Sequence, residues 1–164
     1  MRDRLLAQCA TLGPIGSLPA PGTMGSLAAL ILGACITINF GLGALVVAII
    51  FVTILGFPAA DAHFRVTGIK DSGSVVIDEV VGQWLPLLVI PVPALLNADY
   101  MNMLVAAFIL FRIFDIIKIG LVKKAENLPG ATGVMADDVV AGIMAGLVIM
   151  IGFHLYIQAW SQSV

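Results

Sequence analysis

The sequence predicts an all-α integral membrane helical bundle of about five transmembrane segments, with a site at one face of the bilayer. Three observations carry that expectation. Of 164 residues, 60% are hydrophobic and 11% are charged, against about 45–50% and about 25% in soluble domains, and mean hydropathy is +1.09. The apolar residues fall in long runs separated by short polar or Gly/Pro-rich stretches. All eight Lys and Arg residues land on one side when five spans are threaded, the asymmetry that orients membrane proteins. The length predicts a single domain, 1–164. A net charge of −2 with no basic cluster argues against a nucleic-acid partner.

The stretch from Met1 to Ala10 is charged and its apolar run is too short for a signal peptide, so no cleavage is expected. Met24 to Pro58 is too long for one span, since about 20 residues cross the hydrocarbon core. Split at Asn39-Phe-Gly-Leu-Gly43, it predicts a tight helical hairpin. The third segment runs from about Val75 to Ile90, with Pro86 as a kink and Pro91-Val-Pro93 as a stop. The fourth is Met101 to about Val122, and the fifth is Asp138 to Trp160. With a cytoplasmic N-terminus, Arg2, Arg4, Arg65, Lys70, Arg112, Lys118, Lys123 and Lys124 are all inside. The Asn39 turn, the Pro91 to Tyr100 loop and the tail from Ser161 contain no Lys or Arg.

Four of the ten acidic residues form two adjacent pairs at the mouths of apolar runs, Asp78-Glu79 and Asp137-Asp138. A carboxylate at a bilayer edge is costly, though less so than the roughly 2.5–3.5 kcal/mol at a helix centre, and a bound cation would explain two such pairs. The same threading brings Asp71, Asp115 and the stretch Gly13 to Gly25 to that face. In Pro19-Ala-Pro-Gly-Thr-Met-Gly-Ser26, Thr23 or Ser26 is a candidate helix cap, and the positive helix end favours a phosphate. Read blandly, this stretch is an ordinary Pro/Gly turn and the acidic pairs are N-terminal charge pairs. Arg112, Asp115 and Lys118 have i, i+3, i+6 spacing. They are either a self-satisfied ladder of ion pairs, Arg112–Asp115 and Asp115–Lys118, or a metal-facing Asp115 flanked by two phosphate-facing cations.

Carboxylates without nearby His or Cys favour a hard cation, Mg²⁺ or Mn²⁺, over zinc. His63 and His154 lie apart from the acidic pairs, and His154 is assigned to packing. Cys9 and Cys35 read as buried apolar filler. Gly25, Ala29 and Gly33, and Gly142 with Gly146, give smooth faces that set the distance between metal-bearing helices. A Ser74 or Thr23 nucleophile would lack a base. The sequence has no Asp-x-Asp opening, Cys-x5-Arg loop or Ser-Gly-His block of the covalent phosphatase classes.

Four blocks carry a more specific signal: Ala20-Pro-Gly-Thr-Met-Gly-Ser-Leu-Ala-Ala29, Asp71-Ser-Gly-Ser-Val-Val-Ile-Asp-Glu-Val-Val-Gly82, Phe111-Arg-Ile-Phe-Asp-Ile-Ile-Lys118 and Gly133-Val-Met-Ala-Asp-Asp-Val-Val-Ala-Gly142. In this order they resemble the bacterial phosphatidylglycerophosphatase A family, over nearly the whole chain. The resemblance implies an Mg²⁺-dependent, multi-pass inner-membrane enzyme, its active site facing the cytoplasm, that converts phosphatidylglycerophosphate to phosphatidylglycerol. It implies acidic site residues at Asp71, Asp78, Glu79, Asp115, Asp137 and Asp138. On this reading Asp71, Asp78, Glu79, Asp115 and Asp138 are catalytic, and Asp78, Glu79, Asp137 and Asp138 hold the metal. Thr23, Ser26, Arg112 and Lys118 meet the substrate phosphate. The family commonly has Pro-x-Pro after the third block, whereas this chain has Ile119-Gly-Leu121, so helix four is expected to continue past Lys118.

Two rival readings come from other classes. A divalent-cation or proton-coupled transporter would use the acidic pairs as ion sites, but such sites lie near the midplane, often between internal repeats. A non-catalytic scaffold would leave the repeated acidic pairs and the Gly-rich block without a purpose. The sequence leaves a homo-oligomer open.

Overall fold

In a computed structural model that describes residues 1–69, 72–92 and 97–162, every regular element is helical. In chain order these are α1 (Arg2–Ala10), a 3₁₀ turn (Gly13–Ser17), α2 (Pro21–Thr67), α3 (Ile77–Trp84), a second 3₁₀ turn (Leu85–Val89), α4 (Ala98–Ile117), α5 (Leu121–Glu126) and α6 (Ala131–Gln162). Three stretches are long and apolar enough to cross a membrane: Pro21–Thr67, Ala98–Ile117 and Ala131–Ala159.

Helix α2 is the expected hairpin. Its helical run is broken at Gly41, where φ is 81° and ψ is 171°, a conformation open to glycine. A straight helix would hold Ala28 and Val52 about 36 Å apart, yet both line one apolar cavity with Leu32 and Leu55. The two arms therefore fold back on each other.

The third segment differs in length from a full span. Eight α-helical residues pass at Pro86 into a five-residue 3₁₀ turn, as a proline without an N–H favours. The pair is about 22 Å long, short of the roughly 30 Å hydrocarbon core. It is also deeply enclosed: Ile77, Asp78, Val80, Val81, Gly82, Gln83, Trp84, Pro86 and Leu87 are buried. Two sets of small residues make that enclosure possible. On the first arm of α2, Gly25 meets Val76, Gly33 meets Trp84 and Leu87, and the Trp84 indole donates to the Ala29 carbonyl at 2.7 Å. On α6, Gly142 lies against the Gly82 carbonyl, and Gly146 lies 3.5 Å from the Pro86 backbone by its would-be Cβ. The smooth faces read from the sequence thus clamp α3 from both sides.

Several expectations are corrected. Helix α4 ends at Ile117 rather than near Val122: Lys118 is left-handed (φ 48°, ψ 51°), and Gly120, with a positive φ of 59° and ψ of −115°, completes the turn into α5. The break forms without the prolines, because left-handed residues end the i to i−4 ladder equally well. Helix α6 starts at Ala131, so Asp137 and Asp138 sit in its second turn rather than at its mouth. Cys9 and Cys35 are exposed rather than buried. His154 also faces outward, 2.9 Å from the Gln158 amide one turn along α6.

Candidate active site

The start of α3, the end of α4, α5 and the second turn of α6 meet at one end of the bundle around a cavity of about 140 Å³. Its walls include Asp78, Glu79, Asp115, Lys118, Glu126, Asp137 and Asp138, with Ser72, Gly73, Gly130 and Gly133. Residues 78, 79, 115, 118, 137 and 138 of the sequence-derived set therefore converge as expected. Asp71 lies outside the described residues, as does Lys70.

Each acidic pair is held in a similar way. Asp78 Oδ1 accepts the Glu79 backbone N–H at 3.0 Å, and Asp137 Oδ1 accepts that of Asp138 at 3.0 Å. Asp78, Asp137 and Asp138 are buried. Close approach of the helices brings the pairs together: a Cβ at Gly82 would lie 2.8 Å from the Asp138 carbonyl.

Cations neutralise part of this charge. Arg112 Nη1 meets Asp115 at 2.7 Å and donates to Ser26 Oγ at 3.3 Å. Lys118 Nζ meets Asp137 at 2.7 Å and Glu126 at 3.3 Å, and Lys123 also pairs with Glu126. The predicted Asp115–Lys118 pair does not form, because the left-handed turn at Lys118 removes it from the helical i+3 position and swings it toward α6. Burial works against the Lys118 ammonium, but the Asp137 and Glu126 carboxylates outweigh it and raise its pKa. Glu126, which the sequence reading passed over, is held below its ordinary range by Lys123 and further by Lys118, with partial desolvation opposing. Its i+3 spacing from Lys123 was the available signal.

Asp78, Glu79 and Asp138 are left with no cation among the described ion pairs. One carboxylate oxygen from each lies within 4.8 Å of the other two, and Glu79 Oε2 is buried with no hydrogen-bond partner. Two buried carboxylates and a half-buried one this close together are strongly unfavourable as like charges unless something offsets them. An all-oxygen donor set of this kind fits a hard divalent cation such as Mg²⁺. Asp137 shares the cavity but faces Lys118.

The Gly-rich block reaches the same centre by another route than capping. Pro21 starts α2 two residues before Thr23, and neither Thr23 nor Ser26 caps it; proline suits the first helical position. Ser26 Oγ instead donates to the Gly22 carbonyl at 2.7 Å while receiving Arg112. A Cβ at Gly22 would collide with Glu79 Oε1 and lie 3.3 Å from Arg112 Nη1, so glycine lets α2 begin directly against the charged cluster. His63 is not on the wall of the acidic cavity, in keeping with its separation from the acidic pairs, but it corrects the expectation that Ser74 has no base nearby. It is buried, with Nε2 3.4 Å from Ser74 Oγ, a neighbour 11 residues away that no local spacing revealed.

Residues 8–153 match the family model described as Phosphatidylglycerophosphatase A. A Bacteroides thetaiotaomicron protein provisionally named phosphatidylinositol-3-phosphatase is 39% identical over 136 residues, covering 80% of this chain and 82% of that protein. The Haemophilus influenzae phosphatidylglycerophosphatase A is 36% identical, covering 80% of this chain and 77% of the relative. The Escherichia coli (strain K12) phosphatidylglycerophosphatase A is 35% identical, covering 82% and 75%. No solved structure matches the chain.

Proposed function

Because the chain belongs to the phosphatidylglycerophosphatase A family, we propose that it hydrolyses phosphatidylglycerophosphate to phosphatidylglycerol and phosphate, at the cytoplasmic face of a bacterial inner membrane. The observation that carries this reading is the trio Asp78, Glu79 and Asp138, which has no ion-pair partner among the described residues, beside the cationic Lys118 and Arg112. In this reading the trio holds Mg²⁺, with Asp137 at its edge. The ion, when bound, supplies charge that polarises a phosphoryl oxygen and acidifies a water.

The chain's own residues do the rest. Lys118 and Arg112 neutralise phosphoryl oxygens as negative charge builds in the transition state, where electrostatic stabilisation dominates phosphoryl transfer. Ser26 fixes the Arg112 guanidinium, and the free N–H groups at the start of α2, around Thr23, face the same anion. Water oxygen bonds to phosphorus as the ester P–O bond breaks. A carboxylate outside the ion's grip takes the water proton, with Asp115 of the cavity wall as one candidate and Asp71, from the family resemblance, as the other; that proton, or one from solvent, passes to the departing glycerol oxygen. The apolar helices keep the diacylglycerol in the bilayer while the headgroup enters from the side.

A transporter would place its carboxylates near the midplane, whereas these gather at one end of the bundle. The Bacteroides relative favours a second headgroup, an inositol phosphate, on the same chemistry.

Purified protein should release phosphate from phosphatidylglycerophosphate in mixed micelles only with Mg²⁺, and far more slowly from glycerol 3-phosphate. Faster release from phosphatidylinositol 3-phosphate would move the assignment to that headgroup; release from neither lipid would end it. With Cys9 and Cys35 replaced, a cysteine at Lys124 should react only with cytoplasmic reagent and one at Ala98 only from the other side. The reverse pattern would invert the orientation.

A further inference from the structure

We infer that His63 is a positioning residue which, through Ser74, turns the Ser72 hydroxyl into the acidic cavity as a donor for the substrate phosphate. The inference deepens the phosphatase reading and rests on it for the identity of the anion. Ser72 lines the cavity, whereas Ser74 stands behind it and His63 is buried on the last turns of α2. The three form a chain: Ser72 Oγ to Ser74 Oγ is 2.7 Å, and Ser74 Oγ to His63 Nε2 is 3.4 Å. Ser72 Oγ also accepts the Ser74 backbone N–H at 3.4 Å.

The direction of this chain decides what the cavity sees. If His63 Nε2 carries the proton, it donates to Ser74, Ser74 donates to Ser72, and the Ser72 proton is left over for the cavity. Each hydroxyl has one proton and two lone pairs, so the assignment is complete. In the reverse direction Ser74 donates to His63, Ser72 donates to Ser74, and Ser72 presents only lone pairs. Those lone pairs would face a cavity whose carboxylates outnumber its one ammonium, that of Lys118, which Asp137 and Glu126 already engage, and during turnover they would meet the phosphate, which is repulsive. A bound anion and the donor direction therefore select each other.

The loop is built to hold this aim. Val75 N–H donates to the Ser72 carbonyl at 2.9 Å, and Val76 N–H donates to the Ala10 carbonyl at 2.9 Å, tying the loop to α1. Gly16 of the first 3₁₀ turn packs on the Ser74 carbonyl so closely that a Cβ there would collide with it. Thr67 Oγ1 donates to the His63 carbonyl at 2.8 Å, fixing the end of α2. The short α1 and its 3₁₀ turn, remote from the acidic cluster in sequence, thus serve as the brace for one wall of the site.

The test compares Ser72→Ala, His63→Leu, His63→Gln and the Ser72→Ala/His63→Leu double variant. Two quantities are read: KM and kcat on phosphatidylglycerophosphate micelles, and the Kd of inorganic phosphate by calorimetry with Mg²⁺ present. A hydroxyl donating to a charged oxygen predicts that Ser72→Ala and His63→Leu each raise KM and the phosphate Kd about ten-fold or more. Uniform loss of ground-state and transition-state binding leaves kcat near its original value. His63→Gln, which keeps an N–H at similar reach, should restore most of the affinity. The double variant should be no weaker than either single one, since the two residues act in series. Phosphate binding by Ser72→Ala at wild-type strength would overturn the inference, as would effects that multiply in the double variant. A mere staple would lower thermal stability in Ser72→Ala and leave KM unmoved. If His63→Leu fails to fold, Ser72→Ala and His63→Gln decide. If the wild-type protein binds phosphate yet hydrolyses neither lipid, the phosphatase reading falls while the binding arm still judges the inference.

Discussion

Replacing Asp138 by Asn should raise the stability of the metal-free protein while abolishing its response to Mg²⁺. Asp138 is only 3% exposed, has no described cation partner, and shares a 4.8 Å cluster with Asp78 and Glu79. At that separation, with an effective dielectric constant of about 20, two unit charges repel by roughly 3 kcal/mol. Asparagine keeps the shape and removes Asp138 from two such pairs, so relief of a few kcal/mol is expected. For a chain of this size that corresponds to a rise in Tm on the order of 5–10 °C. On the proposed reading the same change removes one of three anionic ligands, and turnover should fall by roughly a thousand-fold, the scale of losing one strong electrostatic contact in a transition state. Thermal unfolding in detergent, with EDTA and with Mg²⁺, and phosphate release from lipid micelles measure both halves. Wild type should gain stability with Mg²⁺ and the variant should not. A variant less stable than wild type in EDTA, or one that keeps near wild-type turnover, would refute the claim that this trio is an uncompensated cation site.

Other perturbations probe the scaffold and the cations. Gly142→Ala puts a methyl against the Gly82 carbonyl, whereas Gly146→Ala meets its nearest atom at 3.5 Å; the first should cost about 1–3 kcal/mol with reduced turnover, the second little, as thermal unfolding will show. Lys118→Met leaves Asp137 and Glu126 without their shared partner and removes a charge proposed to meet the phosphate, so turnover should drop about 10- to 100-fold with Mg²⁺ stabilisation retained. The folded-state pKa of Glu126 is lowered, so its linked stability is present above the ordinary value of 4.5 and is lost as pH falls through the lower folded value. Glu126→Gln should flatten the acid limb of the Tm–pH curve there, and an unchanged limb would count against the Lys123 and Lys118 pairing.

The all-helical class with helices long enough to span a bilayer, the helical hairpin and the gathering of acids around one cavity were legible in the chain. Each depends on local quantities: run length against bilayer thickness, a Gly-rich break at 39–43, and the side of each span on which a charge falls. The small-residue faces were legible for the same reason, since four-residue spacing on a helix places Gly25, Ala29 and Gly33 in one stripe whatever the rest of the molecule does. The family blocks pointed to the family that the comparisons show, which spacing alone did not.

Partnership between side chains was legible within one helix, as for Arg112 and Asp115, but not between elements. Lys118 stands three residues from Asp115 but bonds to Asp137, 19 residues on, because one left-handed residue redirected it. Ser26, read as a cap, instead supports Arg112, 86 residues away. His63 looked isolated and sits against Ser74. Asp137 and Asp138, read as a helix mouth, lie a turn deeper because α6 begins earlier. Hydrogen bonds and ion pairs act over about 3 Å, so they are decided by where helices pack and how loops turn, and those positions follow from the whole set of contacts around α3. Hydrophobic length and charge sidedness are properties of the chain; which carboxylates pair with a cation among the described residues is a property of the packed bundle.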